Sequence, residues 1–178
     1  MIGDEVHRVW DGRDTVCTVH HTLDGVVIRV ATTADIDGVV ACGTGLFLED
    51  GAARDRLRNV DWPRLNAETY ERANLADPDV LVLVAERGSE IIGHLTGFFH
   101  SASAMWTAPI VDLVSVYLTV PWRGQGIGLA LIMQFKLWAE QREAAQIRVT
   151  ASAANLAAIG FYERIGFKPL ETTLSWDL

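Results

Sequence analysis

The sequence predicts one α+β domain with a mixed, mostly antiparallel central sheet flanked by helices. Three observations carry this expectation. Residues 80–87 (VLVLVAER) and 90–100 (EIIGHLTGFFH) are β-rich runs joined by Gly88-Ser89, which is the spacing and turn chemistry of a hairpin. A third β-rich run, residues 110–120 (IVDLVSVYLTV), follows a short loop and stops at Pro121. Beyond it come a glycine-rich turn, an amphipathic run and another β-prone segment at 146–151, an order that adds a parallel crossover to the antiparallel centre.

The elements follow in chain order. Residues 1–25 lack a helical period and carry the turn signals Asp11-Gly12 and Asp24-Gly25. They form an N-terminal extension whose residues 15–22 are a candidate edge strand, and residues 26–178 make up the domain proper. Residues 26–31 (VVIRVA) are a strand. Thr32 or Thr33 then caps a helix with apolar positions at Ile36, Val39, Val40 and Gly43. Residues 48–79 are polar, with Pro63 and Pro78 as breakers, and a helix is predicted from Asn66, as cap, to Asn74. After the 101–109 loop and the long strand, a helix runs to Arg142 with Ile127, Leu131, Phe135 and Trp138 on one face. A last helix, Asn155 to Ile165, stops at Gly166, and residues 167–177 are expected to return as a strand or hairpin.

Composition narrows the function classes. With 49% hydrophobic and 21% charged residues the chain can bury a core without disulfides or metals. Fifteen basic against 23 acidic residues give a formal charge of −8, which disfavours a nucleic-acid partner. No apolar run is long enough for a membrane span, so no membrane partner is expected. Cys17 and Cys42 lack CxxC spacing, and His20-His21 would point to opposite faces of a strand, so no metal site is expected. Two reduced thiols and no secretory leader point to the cytoplasm.

The strongest chemical signal is the strand, glycine turn and helix at residues 112–140. Glycines let the backbone approach a ligand, and a helix start adds unsatisfied N–H groups and the positive end of its dipole. Together they form an anion site suited to phosphate, with Arg123 at its lip. A nucleoside-triphosphate loop is disfavoured because Leu129-Ala130 stands where Lys-Ser/Thr is needed. The dinucleotide pattern fails as well: Leu131 or Leu129 occupies the third glycine position.

Two stretches resemble the GNAT superfamily of N-acetyltransferases. Arg123-Gly124-Gln125-Gly126-Ile127-Gly128 matches the family's Arg/Gln-x-x-Gly-x-Gly/Ala turn. Asn155, Ala158, Tyr162 and Gly166-Phe167 match its Asn-x-x-Ala-x-x-x-Tyr-x-x-x-Gly-Phe spacing. The order of elements over residues 26–178 is similar too. One departure is that Pro121 lies two rather than three positions before Arg123, which shortens the strand-to-turn connection by a residue.

The resemblance implies a GNAT-like fold and an acetyl-CoA-dependent enzyme that transfers the acetyl group to a primary amine by direct attack in a ternary complex. It implies that Arg123, Gly124, Gln125, Gly126, Ile127 and Gly128 hold the pyrophosphate, and that the backbone at Leu118 and Val120 meets the pantetheine arm. Asn155 either bonds that arm or caps its helix. Tyr162 is the implied general acid and Asp112 the implied base. Ser115, Tyr117, Thr119 and His100 are further candidates for the base, and water relays are common in the family. The acceptor, a small molecule or a peptide amine, would meet the 48–79 region and the 101–109 loop, with Glu49, Asp50, Trp62, Tyr70, Glu71 and Trp106. A homodimer is compatible with the family. The alternative from a different class is a non-catalytic acyl-CoA-binding or interaction module with the same fold.

Overall fold

The computed structural model describes residues 21–178 apart from positions 24 and 56. Most of the strand expected at 15–22, together with Cys17 and His20, lies outside the described residues. Six strands follow one another in a single sheet: β1 (His21–Leu23), β2 (Val26–Val30), β3 (Val80–Arg87), β4 (Glu90–His100), β5 (Ile110–Leu118) and β6 (Gln146–Val149). Neighbours are antiparallel from β1 to β5, and β6 is parallel to β5. The helices are α1 (Ile36–Arg54), α2 (Trp62–Ala76), α3 (Ile127–Gln141) and α4 (Leu156–Arg164). This is the mixed α+β architecture that the hairpin and the crossover predict.

β3 is apolar on both faces because both are covered. Leu81, Leu83 and Ala85 share a core with Leu131 and Phe135 of α3. Val82 and Val84 point the other way, onto Val39 of α1. The sheet therefore separates a face carrying α3 from a face carrying α1 and α2. The buried stripe of α3 holds Ile127, Leu131, Phe135 and Trp138, the residues its periodicity selects.

The entry to α1 is built from local chemistry. Asp35 Oδ2 accepts the backbone N–H of Thr32 at 2.7 Å and its hydroxyl at 2.9 Å. Arg29 on β2 reaches both Asp35 oxygens at 2.7 Å. These hydrogen bonds, the Arg29 guanidinium first, hold the Asp35 carboxyl at about 2.

Several elements differ from expectation, among them β6, which ends at Val149 and not at residue 151. α2 starts at Trp62, not Asn66, because Pro63 sits in its first turn, where the missing N–H costs nothing. Asn66 does not cap; its side chain donates to the Trp62 carbonyl at 3.1 Å. β5 ends at Leu118, and Val120–Trp122 form a short 3-10 turn that takes up the shortened connection before Arg123. The strand expected at 167–177 is not formed: residues 168–178 have no regular structure, and Leu174 and Trp176 are about nine-tenths exposed. The outer edge of β6 is only four residues long, and Pro169 has no N–H to give it.

Candidate active site

The sheet opens into a fork at its parallel end. β5 and β6 pair from Ile110↔Gln146 to Leu113↔Val149, and there β6 ends while β5 continues to Leu118. The register of β4 against β5 shifts at the same level: Thr96 opposes Ser115 and Gly97 opposes Leu113, so Val114 is the extra, bulged residue. Thr119 donates its N–H to the Ile92 carbonyl at 2.9 Å, toward β4. Strand alternation then turns the backbone groups of Leu118 and Val116 to the open edge of the fork.

The glycine turn lies at the head of this fork. Gly124 and Gly126 hold φ of +74° and +84°, a region that side-chain-bearing residues rarely adopt. A Cβ built at Gly124 would meet nothing within 4 Å, so this part of the turn borders open space. Gly126 is the N-cap of α3, which leaves the N–H groups of Ile127, Gly128 and Leu129 without an intrahelical acceptor. Open N–H groups, a helix dipole and an unfilled cradle fit a pyrophosphate.

Arg123 does not stand free at the lip. Its Nε donates to the Leu118 carbonyl at 2.8 Å, and its Nη2 donates to Glu49 Oε1 at 2.7 Å. Tyr117 donates to the same Glu49 oxygen at 3.2 Å, and the guanidinium lies 5.1 Å from the Tyr117 ring centre. The hydrogen bond from Arg123 holds the Glu49 carboxyl below its ordinary range, while burial and the Glu49 charge raise the Tyr117 phenol. Gln125 turns back to donate to the Pro121 carbonyl at 2.8 Å, bracing the loop. In the sequence Glu49 stands out only as one of several acidic residues of the acceptor region. Its pairing with Arg123, 74 positions away, has no signature in the sequence.

α4 brings Tyr162 to the same region. Asn155 Oδ1 accepts the Ala158 N–H at 3.2 Å, so Asn155 caps the helix. At the other end Gly166, at φ +106°, lets the chain reverse. Gly166 N–H bonds the Glu163 carbonyl at 3.1 Å and Phe167 N–H bonds the Tyr162 carbonyl at 3.0 Å. That closure lays the Phe167 ring edge-on to Tyr162 with centroids 5.5 Å apart. The Asn, Tyr and Gly-Phe positions of the motif thus have one mechanical purpose, which is to start the helix, stop it and fix the tyrosine ring. Tyr162 is 9% exposed, and its hydroxyl carries no hydrogen bond among the described residues. Burial, and then the Asp50 charge on α1, push its phenol up to about 12.

Val111 and Leu113 pack toward α3, so Asp112 lies on the α1/α2 face. Asp112 Oδ2 accepts His100 Nε2 at 2.9 Å, at the rim of the sheet. His94 is buried at 1% exposure, with Nε2 3.0 Å from Ser115 Oγ and, among the described residues, no partner for Nδ1. Burial pushes its imidazole down to about 4. A histidine lowered from about 6.5 in the unfolded chain adds stability that is present above pH 6.5 and is lost as pH falls toward 4. Urea melts should therefore show wild type losing roughly 3 kcal/mol more than His94→Gln across that window. Parallel losses would place the acid sensitivity elsewhere. Among the described residues no group of three His, Cys, Asp or Glu side chains is placed to hold a metal.

Residues 46–167 match the acetyltransferase (GNAT) family, and the chain belongs to it. It is 32% identical over 146 residues to the aminoalkylphosphonate N-acetyltransferase of Salmonella typhimurium, covering 79% of this chain and 84% of that protein. It is 28% identical over 90 residues to the thialysine N-epsilon-acetyltransferase of Mus musculus, spanning 51% of this chain and 52% of that enzyme. A tetramutant of the BH1408 protein of Bacillus halodurans superposes with a TM-score of 0.78 at 20% identity, over 85% of this chain and 99% of that one. A Clostridium acetobutylicum protein described as a predicted acetyltransferase, solved with acetyl-CoA, superposes with a TM-score of 0.68 at 20% identity, over 85% and 96% of the two chains. The chain is thus an N-acetyltransferase by family. Among its described residues no helix is long and apolar enough to cross a membrane.

Proposed function

We propose that this protein is an acetyl-CoA-dependent N-acetyltransferase whose acceptor is the primary amine of a small molecule, attacking directly in a ternary complex. The observation that carries the reading is the open glycine cradle at the head of the β5/β6 fork. The relatives named for aminoalkylphosphonate and thialysine are consistent with a small amine.

Backbone N–H groups of residues 124–128 would hold the pyrophosphate. The open edge at Leu118 would meet the pantetheine arm through its N–H, since Arg123 already occupies the carbonyl. Val120, in the 3-10 turn and 65% exposed, would border that path. Asn155 keeps its amide nitrogen for the same ligand while its oxygen caps α4. When bound, acetyl-CoA supplies an acetyl thioester open to attack by an amine. Tyr162, at about 12 against an ordinary thiol near 8.5, keeps its proton and would offer it as a hydrogen bond to the leaving sulfur. Asp112, oriented by His100, accepts the proton that the amine must lose.

Thiol release measured over a panel of amines tests the reading. Acetylation of at least one small amine, together with thermal protection by acetyl-CoA, is the expected result. Protection without turnover of any amine would reduce the protein to a binding module. Absence of protection would remove the cofactor assignment as well.

A further inference from the structure

We propose that the acceptor amine carries an anionic group, a phosphonate or a carboxylate, and that Arg148 binds it. The proposal rests on the acetyltransferase reading above and names the substrate class of that site.

Arg148 on β6 and Asp112 on β5 are register partners, one pair short of the point where the strands part. Ile147 and Val149 pack with the α3-side core, as do Val111 and Leu113, so Arg148 and Asp112 both project from the opposite, α1/α2 face. Opposite charges side by side on neighbouring strands ordinarily pair. These two are each held elsewhere. Asp112 accepts from His100 at 2.9 Å. Arg148 Nε donates to Gln146 Oε1 at 3.0 Å, and its guanidinium carbon stands 4.2 Å from the Trp106 ring centre.

Arg148 therefore differs from Arg29, Arg123 and Arg142, each of which sits on a carboxylate. Its two terminal nitrogens carry no hydrogen bond among the described residues. The contact with the Trp106 ring holds the guanidinium without using those donors. A planar pair of N–H donors with no acceptor of its own matches the two oxygens of a phosphonate or carboxylate. The 101–109 loop gains a purpose here, because it carries the half-exposed Trp106 to the end of β6. A cation and an anion on adjacent strands, about 4.8 Å apart in backbone spacing, suit a short dipolar molecule. Its anion would lie on Arg148 and its amine toward Asp112.

The test uses 2-aminoethylphosphonate, 3-aminopropanoate and ethanolamine as acceptors, with wild type, Arg148→Gln and Arg148→Lys. Wild type should favour one of the two anionic amines over ethanolamine. In Arg148→Gln the ratio of kcat/KM for that amine to the value for ethanolamine should fall by about 10- to 100-fold, through KM, which is the worth of a charge-assisted hydrogen-bond pair. Arg148→Lys should recover only part of the loss, because it keeps the charge but not the paired donors. Calorimetric titration of the same amine into CoA-loaded protein should show the matching loss of affinity. An unchanged KM ratio and Kd in Arg148→Gln would overturn the proposal, as would equal use of ethanolamine by wild type. If no amine is turned over, the acetyltransferase reading fails by itself. The calorimetric arm then decides this one, and binding that Arg148→Gln does not weaken, or no binding at all, overturns it.

Discussion

Gly126→Val should abolish acetyl-CoA binding while the protein still folds. Gly126 sits at φ +84° and ψ −11° as the N-cap of α3, and an L-residue held there costs about 1–2 kcal/mol. The nearest atom to an added Cβ is Leu23 Cδ2 at 3.5 Å, an ordinary contact, so there is no clash to break the core. A loss of that size is survivable against a typical total of about 5–15 kcal/mol. What changes is the turn, because a β-branched residue pulls the backbone out of the left-handed region and misdirects the N–H groups of the cradle. In wild type, acetyl-CoA at about 100 times its Kd adds about 2.7 kcal/mol, or roughly 5–10 °C in Tm. The variant should show a native circular dichroism spectrum and no such shift. Retained protection would mean that the pyrophosphate binds elsewhere.

Tyr162→Phe should lower kcat by about 10- to 100-fold with KM nearly unchanged, as expected when one hydrogen bond to a charged group is lost in the transition state. The substitution keeps the ring and so its contacts with Phe161 and Phe167, each at a centroid distance of 5.5 Å. Stability is therefore no confounder below pH 10. With its phenol pushed up to about 12, Tyr162 stays protonated across the assay range, so the wild-type rate should show no alkaline limb from this residue below about pH 11. Equal kcat for the two proteins would return Tyr162 to a packing role. A limb shared by both would belong to another group.

The parts legible in the sequence are those whose chemistry is local. The turn could be read because Gly124 and Gly126 answer a backbone requirement within a few residues. The helix that carries Tyr162 could be read because its cap at Asn155 and its reversal at Gly166 lie within one short segment. The hairpin register and the α3 stripe follow from periods of 2 and 3.6 residues. Pairs made by tertiary approach were not legible. Glu49 finds Arg123 only because α1 crosses the end of β5, and Asp112 takes His100 rather than its register partner Arg148. The start of α2 is hidden in the sequence because Pro63 has the signature of a breaker, whereas in the fold it is a first-turn proline. The strand expected at 167–177 failed because a β-prone segment still needs a partner edge of matching length.

The fork has a consequence for solubility. A sheet that parts at one end exposes a strand edge beside its core, and open edges recruit other strands. Two features described above blunt this one. The bulge at Val114 breaks the flat repeat an invading strand would need, and Arg123 covers the Leu118 carbonyl while bringing a charge to the edge. Between catalytic cycles, the arginine named for its place beside a phosphate is thus also a guard against self-association.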